Sequence, residues 1–362
     1  MATKILVTGV GGGVGQSIIK GLKLAQQRHN AKYDIIGTDS DPLAAGLYRV
    51  DRGYIVPHSS MPEYITKLKE ICEEEAVDGI IPGTDPEALE IARNKKELEQ
   101  KGAKVIVSSA EAVESGYDKW KTFQFLSTNG FLTPKTILSK NVESVLAQLE
   151  CPIIIKPRWG SASTNLFIAL SEEDVEYALS HIKEPIAQEY LYPSNWDKEN
   201  KKMTYLSRQI DEYSTEIWVS REGKVVGSIT NWRKMKKGVP SKAIVDDFPE
   251  INDAAENIAK KLKGALGAVN LQCRTTNEGP TFFEMNTRFS GSTAVRCAAG
   301  FNGPHTMIKH VVLGKEITEE DLKYEKIVEM RWNNEMYISK EILDKTKKSG
   351  HSVSSGKIYD YI

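Results

Sequence analysis

The residue types best suited to chemistry cluster late in this 362-residue chain, in GAVNLQCRTTNEGPTFFEMNTRFSGSTAV (267–295). Two strand-like runs flank the turn Asn277-Glu278-Gly279. Centring that hairpin on Glu278 sets Gln272 opposite Glu284. Glu284 and Asn286 are two apart, so both point to the same face. Three oxygen-bearing side chains then converge at one sheet end, a hard donor set suited to Mg²⁺ that also carries substrate phosphates. Arg288 follows on the same side, able to face developing negative charge.

Upstream, IIIKPRWGSASTN (153–165) delivers Lys156 at the end of a β-branched strand, before a loop holding Gly160, Ser161 and Ser163. A cation beside free backbone N–H groups and hydroxyls suits a polyphosphate; the same pattern also describes a strand-end lysine before a solvated turn. PIAQEYL (185–191) ends a further strand at Gln188, Glu189, Tyr190 and Leu191. DEYSTEIWVS runs into REGKVVGSI through a Glu222-Gly223 turn. Glu212 and Glu216 share a face of that first strand, either as solvated edge acids or as partners of ribose hydroxyls and metal-bound phosphate. Between the two hairpins lie Arg233, Lys234, Lys236 and Lys237. They suit a solvated surface, or contact with phosphate or an acidic substrate; Arg233 is the favoured contact.

The elements that position these groups follow from periodicity. Residues 1 to about 117 alternate short apolar runs with amphipathic helical spacing, which predicts a parallel sheet covered by helices on both faces. PEALEIARNKKELEQ is expected as one helix. The first strand meets Thr8-Gly9-Val10-Gly11-Gly12-Gly13-Val14-Gly15. The spacing G-x-G-x-x-G fails, while G-x-x-G-x-x-G fits Gly9, Gly12 and Gly15, and Asp39 closes the second strand. That permits NAD binding, or a sharp, closely packed strand-to-helix turn. Near Ser115–Asp118 the pattern changes to a mixed, largely antiparallel second unit. The polar stretch 193–211 is expected as a long loop, and the tail after about 315 contains a strand-like VEMRWNNEMYI.

A formal net charge of −1 argues against broad binding to nucleic acid or anionic lipid. No apolar run reaches the roughly 18 residues needed to span a bilayer, and the N-terminus lacks a signal-peptide pattern. The four cysteines (Cys72, Cys151, Cys273, Cys297) show no paired metal-type spacing. A cytoplasmic protein is expected.

Over roughly residues 1–315 the order of these motifs resembles the ATP-grasp superfamily, in its branch with domains like those of the carbamoyl phosphate synthetase large subunit. The resemblance implies a pre-ATP-grasp Rossmann-like domain (1–117), an ATP-grasp domain (118–315, with a mobile lid about 135–190) and a C-terminal extension (316–362) packing on it. Lys119, opening the helix after Asp118, resembles the first nucleotide-contacting lysine. KPRWGSAS resembles the second, Lys156, with its glycine-rich loop (Gly160, Ser161, Ser163). Gln188 to Leu191 resembles the hinge that reads adenine, and Glu212 the ribose-binding glutamate. Gln272, Glu284 and Asn286 match the Mg²⁺ positions, and Arg288 the arginine that stabilises transferred groups. Thr287 stands where the family commonly has proline.

The resemblance implies an ATP- and Mg²⁺ (or Mn²⁺)-dependent ligase. A carboxylate is activated as an acyl phosphate and joined to an amine, giving an amide, ADP and phosphate. Only one ATP-grasp module is present, so carbamoyl phosphate synthesis, which uses two, does not carry over. In such a fold the strand-end loop PGTDPE makes Thr84, Asp85 and Glu87 candidate substrate contacts; ordinary helix capping by Asp85 ahead of an N1 proline explains them equally. Small-molecule partners, no nucleic acid, no membrane and a homodimer through the first domain are expected. The alternatives are a bicarbonate-using enzyme of the same class, an NAD(P)-dependent oxidoreductase using the glycine loop, and a non-catalytic nucleotide binder.

Overall fold

The computed structural model describes residues 2–160, 164–192, 212–236, 239–331, 336–353 and 357–358. Ser161, Ser163, Lys237 and the stretch 193–211 lie outside the described residues.

Five parallel strands open the chain: β1 (Thr3–Val7), β2 (Tyr33–Asp39), β3 (Arg52–Ile55), β4 (Gly79–Ile81) and β5 (Lys104–Val105), in the spatial order β3-β2-β1-β4-β5. Helices α1 (Gly13–His29), α2 (Glu63–Glu75), α3 (Asp85–Arg93), α4 (Lys95–Glu99) and α5 (Ala110–Tyr117) join or follow them. Both faces are buried, as continuous apolar strands require. Ile5, Val7 and Ile35 pack with α1 residues such as Ile18 and Leu22, whereas Leu6, Ile36 and Ile80 pack with Leu68 and Ile91 on the other side. The helix expected over PEALEIARNKKELEQ is broken at Asn94, whose side-chain amide donates to the carbonyl of Glu90 at 2.9 Å.

After α6 (Lys119–Thr128), four short strands make a small antiparallel sheet: β6 (Thr136–Ile137), β7 (Ile153–Pro157), β8 (Phe167–Ala169) and β9 (Pro185–Glu189), ordered β6-β9-β7-β8. Helices α7 (Val142–Leu146) and α8 (Glu172–His181) give it its own apolar core with Ile153, Ile155, Val175 and Leu179. The third layer is antiparallel: β10 (Glu212–Val219), β11 (Val225–Lys236), β12 (Val239–Val245), β13 (Gly267–Thr276), β14 (Gly279–Asn286) and β15 (Ile327–Met330), in the order β14-β13-β10-β11-β12-β15. One face packs on α9 (Pro249–Lys261) through Ile217, Leu271, Phe282 and Met285. The architecture is thus mixed α/β, with a mostly parallel N-terminal sheet and antiparallel sheets after it.

Helix α10 (Thr293–Ala299), followed by the short α11 (Gly303–Met307), lies against α1 and fuses the first and third layers. Trp218 and Phe301, stacked 3.6 Å apart, share one apolar cluster with Ile18 and Leu22. The tail returns to both layers. β15 extends the third sheet, β16 (Met336–Tyr337) pairs with β18 (Lys357–Ile358), and β17 (His351–Val353) adds an antiparallel edge beside β3.

Candidate active site

The metal-type hairpin forms by a route different from a turn centred on Glu278. The turn has two residues, Asn277-Glu278, so Thr276 pairs with Gly279 and Cys273 with Phe282. A β-bulge at Phe283 then shifts the register and brings Gln272 opposite Glu284. The bulge has a further effect. Phe282 and Met285 enter the apolar core, while the consecutive Phe283 and Glu284 both face a cavity. Glu284 Oε1 accepts from Gln272 Nε2 at 3.0 Å and from Asn286 Nδ2 at 3.1 Å.

That cavity, about 500 Å³, collects residues from all three layers. β7 supplies Lys156, whose Nζ donates to Gln188 Oε1 on β9 at 2.8 Å; Gln188 Nε2 in turn donates to Thr136 Oγ1 at 2.9 Å. Gln188 is buried and serves as the lysine's anchor. Lys119 Nζ donates to the carbonyl of Gly160 at 2.6 Å. Asp118 caps α6 and forms a bidentate pair with Arg158 (2.8 and 2.5 Å), which fixes the start of that helix to the end of β7. Tyr190, Leu191, Phe283, Ile154 and Ile168 make one apolar wall. The Glu189 carboxylate accepts from the Lys135 N–H at 3.2 Å.

The charges are mutually compensating. Burial above all pushes the Lys156 ammonium down to about 8, against the pull of Glu284 and Glu212 and helped by repulsion from Lys119 and Arg274. Burial also lowers Lys119, against the pull of Glu284, Asp85 and Asp118. Burial works to raise the Glu284 carboxyl, but Lys119 and Lys156 outweigh it and hold it below its ordinary value. Glu284 is therefore an anion at neutral pH. Among the described residues no group of three or more His, Cys, Asp or Glu side chains is placed to hold a metal unaided. A cation here would rest on one carboxylate, the amide oxygens of Gln272 and Asn286, and oxygens brought by a ligand, the sort of partial shell in which Mg²⁺ is held with phosphates.

Arg288 is more constrained than its position in the sequence suggests. Its side chain is 8% exposed and pairs with the buried Asp85 of the first layer; Nη1 also donates to the Phe289 carbonyl at 2.8 Å. Asp85 is free to do so because the N-cap of α3 is Thr84, whose hydroxyl accepts from the Glu87 N–H. Capping by Asp85 is thereby corrected. Thr84 and Asp85 line the cavity. Glu87 does not: it lies beneath the loop, accepting from Thr8 Oγ1 at 3.0 Å and Thr84 Oγ1 at 2.8 Å, and burial raises its carboxyl to about 7. Glu212 and Arg233 face each other across β10 and β11, with Arg233 Nε at 2.9 Å and Nη2 at 2.7 Å from the single oxygen Glu212 Oε1. Glu216, on the same face, is buried away from the cavity and paired with Arg296.

Arg274 was not anticipated. It lines the cavity from β13, donates to the Leu191 carbonyl at 3.0 Å, and lies 5.5 Å from the Tyr190 ring and 5.9 Å from that of Phe283. Its alternation with Gln272 on one strand face was the available signal. The glycine loop also has a packing explanation. A Cβ at Gly15 would lie 2.4 Å from the Gly9 carbonyl oxygen. The Asp39 carboxylate is engaged by the N–H groups of Gly11 at 2.7 Å and Asp41 at 3.0 Å. Gly12, Gly13 and Val14 line the cavity's far end.

Two family models match the chain. Residues 5–106 match the family described as PylC-like, N-terminal domain, and residues 202–336 the family described as ATP-grasp in the biosynthetic pathway with Ter operon. No curated protein matches the sequence. Among solved structures, N5-carboxyaminoimidazole ribonucleotide synthetase from Thermus thermophilus is similar with a TM-score of 0.66 at 19% identity, over 90% of this chain and 82% of that one. N5-carboxyaminoimidazole synthetase from Staphylococcus aureus, complexed with ADP, has a TM-score of 0.65 at 16% identity, over 88% and 79%. The biotin carboxylase domain dimer of Hydrogenobacter thermophilus 2-oxoglutarate carboxylase, in complex with MgADP, ADP and bicarbonate, has a TM-score of 0.64 at 16% identity, over 90% and 73%. These likenesses establish a shared fold.

Proposed function

We propose that this chain, a member of the ATP-grasp superfamily, is an ADP-forming ligase that phosphorylates a carboxylate with MgATP and joins it to an amine. The observation that carries the proposal is the convergence on one cavity of Lys119, Lys156, Glu284 and Arg288 beside an apolar wall fit for a purine ring. Neither the glycine loop nor the hairpin alone makes that combination.

In this reading Tyr190, Leu191, Phe283 and Arg274 hold the adenine end, with Glu189 at its rim and Glu212, oriented by Arg233, near the ribose. Lys119 and Lys156 neutralise phosphate oxygens beside Gly160, and Ser161 and Ser163 are proposed as further phosphate contacts. Glu284, with the amide oxygens of Gln272 and Asn286, would hold Mg²⁺ or Mn²⁺, which supplies charge neutralisation to the phosphates when bound. Arg288, held in place by Asp85, faces the charge that develops as the carboxylate oxygen takes the phosphoryl group and as the amine attacks the acyl carbon. Thr84, Asp85 and the α1 N-terminus border the acceptor end; Glu87 supports that loop from below. A lid spanning about 135–190 and self-association into a homodimer belong to the same proposal. No described helix is long and apolar enough to cross a membrane.

The test is mass spectrometry of products and ADP release with MgATP and pooled carboxylates and amines, with and without bicarbonate. A new amide with stoichiometric ADP supports the ligase. Release strictly dependent on bicarbonate selects the variant in which bicarbonate is the activated carboxylate. Tight NADH binding without MgATP binding would return the glycine loop to an oxidoreductase, and firmly bound MgATP with no product would make the chain a nucleotide binder only.

A further inference from the structure

A second groove, of about 540 Å³, lies where α1 crosses α10 beside β15. Lys20 and Lys23 reach it from one face of α1, Arg49 from the segment between β2 and β3, and Arg331 adjoins it at the end of β15. Its other walls are apolar, including Leu24, Val295 and Ile327. Two carboxylates face these four cations: Asp51 accepts from the Ile35 N–H at 2.7 Å, and Glu329 Oε1 is 3.4 Å from Arg331, while Glu329 Oε2 has no donor among the described residues. Burial first, then repulsion from Arg331 and Arg49, holds Lys20 below its ordinary value, and Lys23 is lowered by burial and Arg49.

The two arginines also touch the loops of the ATP cavity. Arg49 Nη1 donates to Gln16 Oε1 at 2.6 Å, and Gln16 Nε2 donates to the Val10 carbonyl of the glycine loop at 2.5 Å. Arg331 Nη2 donates to the carbonyl of Gly291 at 3.1 Å, three residues beyond Arg288 and itself lining the ATP cavity. Each guanidinium keeps a buried Nε–H with no acceptor among the described residues. Four cations against two carboxylates leave the groove with a surplus of positive charge.

We propose that this groove is a second ligand site for an organic anion, a phosphate or paired carboxylates on an apolar body, and that Arg49 and Arg331 transmit its occupancy to the glycine loop and to the loop after Arg288. Charge-assisted hydrogen bonds to the lysines and guanidinium groups supply affinity. The volume is that of a small-molecule pocket. Coupling follows because an anion pulling on either arginine shifts a group whose other end is bonded to an active-cavity loop.

The experiment is calorimetric titration of the full chain with phenyl phosphate and with inorganic phosphate, repeated on Lys156→Ala, which disables the ATP cavity, and on Lys20→Gln/Lys23→Gln. One equivalent of phenyl phosphate is expected to bind, to survive Lys156→Ala, and to weaken at least ten-fold in the double variant, whose MgADP affinity stays unchanged. Saturating phenyl phosphate should shift the MgADP dissociation constant at least two-fold in the unsubstituted protein and not in the double variant. Absence of binding, or equal binding by the double variant, overturns the site. Inorganic phosphate binding as tightly as phenyl phosphate overturns the organic ligand, and an unshifted MgADP affinity overturns the coupling. A dimer that the double substitution dissociates, with no phenyl phosphate bound, would assign the groove to a second copy of the chain.

Discussion

Glu284 and Glu216 are both carboxylates on the cavity-side face of the third sheet, and they do different work. Glu216 is wholly buried and saturated: Thr293 Oγ1 donates at 2.7 Å, Arg296 Nη1 at 3.0 Å and Trp218 Nε1 at 3.0 Å. Arg296 is equally enclosed, with further bonds to Asn270, Ser290 and Ser214. Nothing remains for a ligand, so the pair is a strut that holds α10 to the sheet. Glu284 is bonded by two neutral amides on one oxygen and opens to the cavity, with its charge supported at a distance by two lysines. Of these two, the acid enclosed on every side by its donors is structural, whereas the one whose cations stand back, leaving room between them, is available for chemistry.

This contrast is breakable. Glu284→Gln should lower ATP turnover by roughly 10²–10³-fold while the urea midpoint stays put; retained turnover would remove Glu284 from the metal site. Glu216→Gln should do the reverse, costing about 3–5 kcal/mol of stability by stranding Arg296, read from urea denaturation, with activity per folded molecule little changed. Loss of activity without loss of stability would place Glu216 in the site instead. A smaller effect sharpens the role of the two lysines. Because Lys156 titrates near 8 in the free protein, its ammonium is present below that pH and lost above it. MgATP affinity should therefore fall about ten-fold between pH 7 and 9, with proton uptake on binding near pH 8; Lys156→Ala should flatten the profile. The smallest effect concerns Glu87. Its carboxyl is raised from 4.5 to about 7 in the folded protein, so the folded state holds an extra proton between those values, and stability falls as pH rises through that window. Glu87→Gln should remove this slope and raise stability at pH 8 by about 1–2 kcal/mol, measured by denaturation at pH 5 and 8.

Much of the site was legible because strands alternate. Gln272, Glu284 and Asn286 could be placed on one face from spacing alone, and Lys156 at its strand end likewise. Even so, the pairing of Gln272 with Glu284 came from a longer assumed turn, where the molecule uses a shorter turn and a bulge; the two departures cancel at this pair. The Asp85–Arg288 contact spans 203 positions, and no local pattern reports a partner that distant. Glu212 and Glu216 are indistinguishable by period, since only the arrival of Arg296 on a helix 80 positions later separates them. Parallel strands in the first layer were readable from their apolar runs, whereas the tail strands β15 and β17 are short and join sheets laid down much earlier.

β17 has a consequence for how the chain matures. The Ser352 hydroxyl donates to the carbonyl of Leu47 at 2.8 Å, and the Ile55 N–H to that of Gly350 at 2.7 Å. The margin of the first sheet thus waits for residues made some 300 positions later. During synthesis β3 is a naked border, open to the wrong neighbour, until the ribosome has delivered residues 351–353.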